Sequence, residues 1–300
     1  MAAVPGQGPS RAASFRARFT STILLWGIVA AVFLSGRMWA LVLLVAVLGL
    51  LGSIEFVHLT REAPGRECRL WGAVVSAAFL AVLIGGVLAG ALPVEGFLPE
   101  MAGVVTVLIG SFALRLRYPI EGDDSVRAVA LAIFGFVYVP VLFAGFLIRL
   151  AQLPPEGAPA QAGFWLVLLA ILAAKFTDMG AYLVGTLCGK HKAVPHLSPA
   201  KSWEGYFGAL FFAQAGALGV YFAGKQHLAW IDGVHHVVIL GFLLALAAMV
   251  GDLAESILKR SLHVKDSGRI LPGIGGVLDL IDSLCFAMPV AFLYVHLVIL

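Results

Sequence analysis

The sequence predicts an all-α integral membrane protein, a polytopic bundle of about nine transmembrane helices with a cytoplasmic N-terminus. Three observations carry that expectation. Hydrophobic residues fill 61% of the 300 positions and charged ones only 12%, against roughly 45–50% and about 25% in soluble domains, so the bilayer is the main solvent. The apolar residues fall into stretches near the roughly 20 residues that a helix needs to cross the hydrocarbon core. Lysine and arginine gather in alternate connections between those stretches, the pattern that marks the cytoplasmic side.

Residues 1–20 hold Arg11, Arg16 and Arg18 and no acid. They are read as a cytoplasmic tail rather than an organellar transit peptide, because the apolar run from Ile23 continues without a small-residue cleavage site. Spans follow near 21–36, 38–59, 70–92, 98–114, 128–150, 163–187, 205–224, 235–258 and 276–300. The first and fourth are short. Residues 21–160 form N-terminal helices and 161–300 a C-terminal region in which the chemistry is expected, within one continuous membrane domain.

One set of connections receives Arg11, Arg16, Arg18, Arg61, Arg66, Arg69, Arg115, Arg117, Arg127, Lys190, Lys192, Lys201, Lys259, Arg260, Lys265 and Arg269. The other receives Arg37, Arg149 and Lys225, with Lys175 inside a span, so the bias is 16 to 3. The formal net charge of +3 gives no sign of a nucleic-acid partner. Cys68, Cys188 and Cys285 have no paired spacing, so neither a disulfide framework nor a thiolate metal site is indicated.

Asp178, Asp252, Glu255, Asp279 and Asp282 lie within or at the ends of apolar spans. There a carboxylate costs about 3 kcal/mol near the helix centre. Two compensations stand side by side. One is ion pairing, Lys175 with Asp178 and Lys259 with Glu255, each one helical turn apart. The other is convergence: with the N-terminus inside, Asp178 lies about 18 Å before Lys190 and Asp252 about 10 Å before Lys259, at 1.5 Å per residue. Asp279 and Asp282 then begin the last span, so all five acids reach one half of the membrane. Asp252, Glu255, Ser256 and Lys259 share a helical face, as do Asp279 and Asp282. Converging carboxylates suit a hard divalent cation such as Mg²⁺.

Two basic connections flank the acids. Gly189 to Gly205 carries Lys190, Lys192, Ser198 and Lys201, and Lys259 to Gly276 carries Arg260, Lys265, Asp266, Gly273 and Gly275. Lysine or arginine combined with Gly, Ser and Pro suits a polyphosphate held by cations and backbone amides; the plainer reading is positive-inside loops with turn residues. Neither connection holds a P-loop or a dinucleotide fingerprint. His191, His196 and His263 are read as interfacial rather than as ligands.

Taken together, Ser256-Ile-Leu-Lys-Arg260, Lys265-Asp266, Pro272-Gly273, Gly275-Gly276, Asp279 and Asp282 resemble the C-terminal signature of the phosphatidate cytidylyltransferases. The resemblance extends to Asp178-Met-Gly-Ala-Tyr182, Gly189-Lys-His-Lys192, Ser198-Pro-Ala-Lys-Ser-Trp-Glu-Gly205, Arg18-Phe-Thr20 and Glu55-Phe56. It implies a multispanning α-helical enzyme of the cell inner membrane that joins CTP to phosphatidate, releasing pyrophosphate and CDP-diacylglycerol with Mg²⁺, and room for a second cation. It implies Asp252 and Asp279 as metal ligands and Ser256, Lys259, Arg260, Lys265, Asp266 and Asp282 as the catalytic set. Asp178, Lys190, Lys192, Ser198, Lys201, Gly273, Gly275 and Gly276 are the implied substrate contacts. Membrane lipids are the surrounding partners, and a homodimer is a compatible assembly. Ile274 and Leu280 stand where the family commonly has His and Arg; a neutral residue at 280 is expected to weaken charge stabilisation unless Arg269 or another cation takes over. The rival readings are a CTP-dependent transferase acting on another lipid phosphate and, from a different class, a cation-coupled transporter.

Overall fold

The computed structural model describes residues 23–24, 26–90, 96–264, 267–268 and 275–300. Among these the elements are helical: α1 (Trp26–Ser35), α2 (Met38–Leu59), α3 (Arg66–Leu88), α4 (Leu98–Arg115), α5 (Asp124–Gln152), α6 (Ala162–Cys188), α7 (Trp203–Ala223), α8 (Val234–Ser261) and α9 (Val277–Ile299). From α2 on, each is long and apolar enough to cross a membrane, which makes eight such helices among the described residues. α1 corresponds to the first expected span, but its ten described residues are too few to cross alone.

Backbone groups must be satisfied internally in lipid, which is why the chain answers its apolar composition with helices. Buried hydroxyls follow the same rule, Ser53, Ser76 and Thr177 each donating to a carbonyl four residues back. Inside α5, Val137–Gly145 widens into π-helical turns around Pro140, whose ring nitrogen carries no proton for an intrahelical bond.

α6 and α7 pack through glycine. A Cβ on Gly180 would fall 2.6 Å from the carbonyl oxygen of Gly208, and one on Gly208 only 2.4 Å from Val184 Cγ2. Small residues let helix backbones approach closely in a membrane, and here they bring the end of α6 beside the start of α7. α9 is the central helix, touching α2, α5, α6 and α8 and burying Cys285, Met288 and Phe292.

At the end of the bundle opposite the acids, Arg149 donates from Nε and Nη2 to the two oxygens of Glu100, both at 2.8 Å. Its guanidinium also lies over the Phe97 ring, 4.7 Å from the centroid. Phe97 in turn packs edge-on against Phe292 of α9. The far ends of α4, α5 and α9 are locked together there, and the near ends carry the polar site.

Candidate active site

Five helix ends meet at one side of the bundle: the C-terminal ends of α2, α6 and α8 and the N-terminal ends of α7 and α9. The acids that the spacing pattern brings to one depth do converge, and the lysines lie among them. Lys259 Nζ bridges Glu255 Oε2 at 2.6 Å and Asp279 Oδ1 at 2.8 Å. Lys175 Nζ donates to Asp178 Oδ2 at 3.2 Å and to Ser283 Oγ at 2.9 Å, and the Ser283 hydroxyl donates to the same Asp178 oxygen at 3.0 Å. Lys201 Nζ lies 2.6 Å from Asp252 Oδ2. Asp282 is buried, accepts the backbone N–H of Ser283, and forms no ion pair among the described residues. Ion pairing and convergence are thus both present.

Asp178, Asp252, Asp279 and Asp282 line a single cavity of about 420 Å³ together with Lys201 and Ser198. Thr177, Tyr182 and Tyr206 add hydroxyl-bearing walls. With Glu255 beside them, five carboxylic side chains are met by three lysines. Among the described residues no three His, Cys, Asp or Glu side chains close into a preformed metal cage. Mg²⁺ keeps several waters and is usually held by one or two carboxylates plus substrate phosphates. A pair of aspartates, Asp252 and Asp279, therefore fits it as a donor set completed by a nucleotide.

The remaining predicted residues divide. Gly276 is buried at the N-terminus of α9 and Gly275 takes φ +123°, with its Cα so close to Asp279 that a Cβ would lie 2.6 Å from Oδ2. Ser256 is half-buried on α8, Arg260 is exposed at its end, and Lys190 and Lys192 are exposed in the first connection; none of the four lines the cavity. Lys265, Asp266 and Gly273, with Arg269 and Ile274, lie outside the described residues.

Leu280 does not face the carboxylates. It lines a separate apolar cavity of about 230 Å³ with Trp26, Phe33, Phe143 and Leu284, where the Lys175 side chain is also exposed.

Sequence reasoning missed four site residues. Ser283 joins Lys175 to Asp178 across more than a hundred residues, which no local pattern announces. Ser267 donates its hydroxyl to Asp279 Oδ2 at 2.8 Å. Glu204 accepts the backbone N–H groups of Lys190 and His191 and pairs with the His191 ring, so these amides are already engaged within the first connection. Ser202, N-cap of α7, is the one local signal that a helix start organises this segment. Glu55 of α2 is the fourth, accepting the Leu278 N–H at the start of α9.

A polytopic helical membrane protein with an acid-and-lysine cavity at its helix ends is the class that fold and site define. The chain belongs to the cytidylyltransferase family, whose model matches residues 16–298. It is similar to the phosphatidate cytidylyltransferase of Mycobacterium leprae (strain TN), 37% identical over 172 residues that make up 57% of this chain and 50% of the relative. It is likewise similar to that of Staphylococcus aureus (strain COL), 45% identical over 130 residues, 42% of this chain and 47% of the relative. The enzyme of the same name from Mycobacterium bovis (strain ATCC BAA-935 / AF2122/97) is 38% identical over 158 residues, 52% of this chain and 47% of the relative. The chain thus spans about half the length of the curated relatives it matches.

Proposed function

We propose that this protein transfers the cytidylyl unit of CTP to phosphatidate, giving CDP-diacylglycerol and pyrophosphate. The observation that carries the reading is the cavity in which Asp178, Asp252, Asp279 and Asp282 meet Lys201 and Ser198, in a chain of the cytidylyltransferase family whose relatives bear the name of that activity. A phosphate oxygen of phosphatidate bonds to the α-phosphorus of CTP; the bond from that phosphorus to the α,β-bridging oxygen breaks, and pyrophosphate leaves with the electron pair. A phosphomonoester with a second pKa near 6 is largely dianionic at neutral pH, so the nucleophile needs no general base.

The work left to the protein is to bring two polyanions together and to stabilise charge on the leaving group. Lys201 and Ser198 present a cation and a hydroxyl to phosphate oxygens at the cavity wall. Lys259, Ser267 and the Gly276 amide fix the Asp279 carboxylate, while Lys175 and Ser283 fix Asp178. Asp252 and Asp279 would hold Mg²⁺, which would supply positive charge to the phosphates, alone or with a second cation. The cavity opens on the cytoplasmic side of an inner membrane, a placement supported by the 16 to 3 charge bias. The chain functions alone or as a homodimer.

The test is incubation of purified protein with labelled CTP, phosphatidate and Mg²⁺. Stoichiometric CDP-diacylglycerol and pyrophosphate are expected. Turnover only with an isoprenoid ether lipid phosphate would move the assignment to another CTP-dependent transferase. No turnover on either lipid, with cation flux in proteoliposomes, would overturn it in favour of transport.

A further inference from the structure

We infer that Glu55, from α2 in the amino-terminal half, is a positioning residue that caps α9 from outside that helix and thereby sets the place of Asp279. The first N–H groups of any helix lack intrahelical partners, and an N-cap side chain ordinarily accepts one of them. The N-cap of α9 is Gly276, extended at φ −91° and ψ 170° as an N-cap should be, but without a side chain. Asp279 reaches back to accept the Gly276 N–H at 2.7 Å, which is one half of a capping box. The acceptor that an N-cap side chain would give to N2 or N3 comes from elsewhere. Glu55 Oε2 accepts the Leu278 N–H at 2.9 Å, across 223 residues of chain. Glu55 is 3% exposed, four residues before the end of α2.

The surrounding glycines make room for this carboxylate. A Cβ on Gly276 would lie 2.5 Å from Glu55 Oε2 and 2.2 Å from Ser267 Oγ, and a Cβ on Gly268 would lie 2.3 Å from Glu55 Oε1. A serine or aspartate at 276, the usual local cap, would crowd the carboxylate that takes its place and the Gly268 amide, 2.9 Å from such a Cβ. The carboxylate also brings negative charge to the positive end of the α9 dipole. Gly276, which donates to Asp279 Oδ2, packs on Glu55, as does Gly268 next to Ser267, the other donor to that oxygen, so the turn carrying Asp279 rests on it. Glu55 does not line the carboxylate cavity, which makes its action indirect.

The inference rests on the reading that Asp279 serves nucleotidyl transfer, and its test is chosen to separate the two. Three purified full-length variants, Glu55→Ala, Glu55→Gln and Glu55→Asp, are compared with wild type by amide hydrogen exchange of the peptide covering residues 276–284 and by kcat and KM for CTP. Glutamine keeps the reach and an acceptor oxygen; aspartate keeps the charge but loses the reach. Exchange faster by about tenfold in the Ala and Asp variants, the size of a lost N-cap, is expected, with Gln within about threefold of wild type. Turnover should follow the same order while KM for CTP changes less. Unchanged exchange in Glu55→Ala, Asp outperforming Gln, or faster exchange with full turnover would overturn the inference. If wild type makes no CDP-diacylglycerol, the exchange arm still decides whether Glu55 caps α9.

Discussion

Lys201, in the connection ahead of α7, places its Nζ 2.6 Å from Asp252 Oδ2 on α8, and both residues line the carboxylate cavity. The lysine side chain is 15% exposed and the aspartate 42%, so the ammonium is the more sheltered partner and the carboxylate faces the cavity. A cation held there can serve an incoming phosphate as well as its aspartate. Lys201→Gln is expected to raise KM for CTP or lower turnover by about 1.5–3 kcal/mol, roughly 10- to 150-fold, the cost of one charge-assisted contact. Steady-state kinetics with varied CTP measure this. If Lys201 only neutralises Asp252, Lys201→Gln should lower Tm and leave KM for CTP unchanged in the molecules that stay folded; a raised KM with little loss of Tm supports phosphate contact.

The orientation has a reporter already in the chain. Cys68 and Cys285 are buried and Cys188, at the end of α6, is exposed; all three are free thiols. An impermeant maleimide should label Cys188 in inside-out vesicles and not in intact cells. Lys225→Cys in a Cys188→Ser background should give the reverse. The opposite pattern would place the acids and their connections on the outer side.

Much of this bundle was legible because membrane helices advertise themselves by length and apolarity. The second expected span, 38–59, coincides with Met38–Leu59, and the spacing of Asp252, Glu255 and Lys259 placed them on one face. Helical phase also separates Leu280, one residue or 100° from Asp279, from the acid-bearing face. What stayed hidden is tertiary. The Ser283 bridge between Lys175 and Asp178, and the Glu55 bond to Leu278, join residues whose meeting depends on how helices pack, and no i, i+3 or i, i+4 pattern encodes that. The fixing of the Lys190 and His191 amides by Glu204 depends on a loop folding back on its own helix start, which composition alone does not specify.

Far from the cavity, Glu100 and Arg149 form a bidentate pair with side chains 8% and 0% exposed. Glu100 accepts two of the hydrogen bonds that hold the buried guanidinium. Glu100→Ala is expected to lower stability, seen as a fall in Tm in detergent. Turnover per folded molecule should remain near wild type, because the pair lies at the opposite end of the bundle. Lost turnover without a Tm change would mean that this end is coupled to the site.

Asp252 and Asp279 make the metal prediction, and their surroundings sharpen it. Asparagine keeps size and an acceptor oxygen but removes the negative charge that makes a hard-cation ligand. Asp252 is the one ion-pair partner of the sheltered Lys201 ammonium among the described residues, so Asp252→Asn should abolish nucleotidyl transfer and lower Tm by the cost of that lost counter-charge. Asp279 has further duties, since it accepts from Lys259, Ser267 and Gly276. Asp279→Asn should therefore abolish transfer and also lower Tm, because Lys259 loses charge compensation. Mg²⁺ titrations of wild type and both variants, read by thermal stability and by activity, separate the roles. A shifted Mg²⁺ midpoint in both variants supports shared ligation. A shift in one alone leaves that residue as the ligand and the other as a structural partner. Wild-type Mg²⁺ affinity in both would remove the two-aspartate assignment altogether.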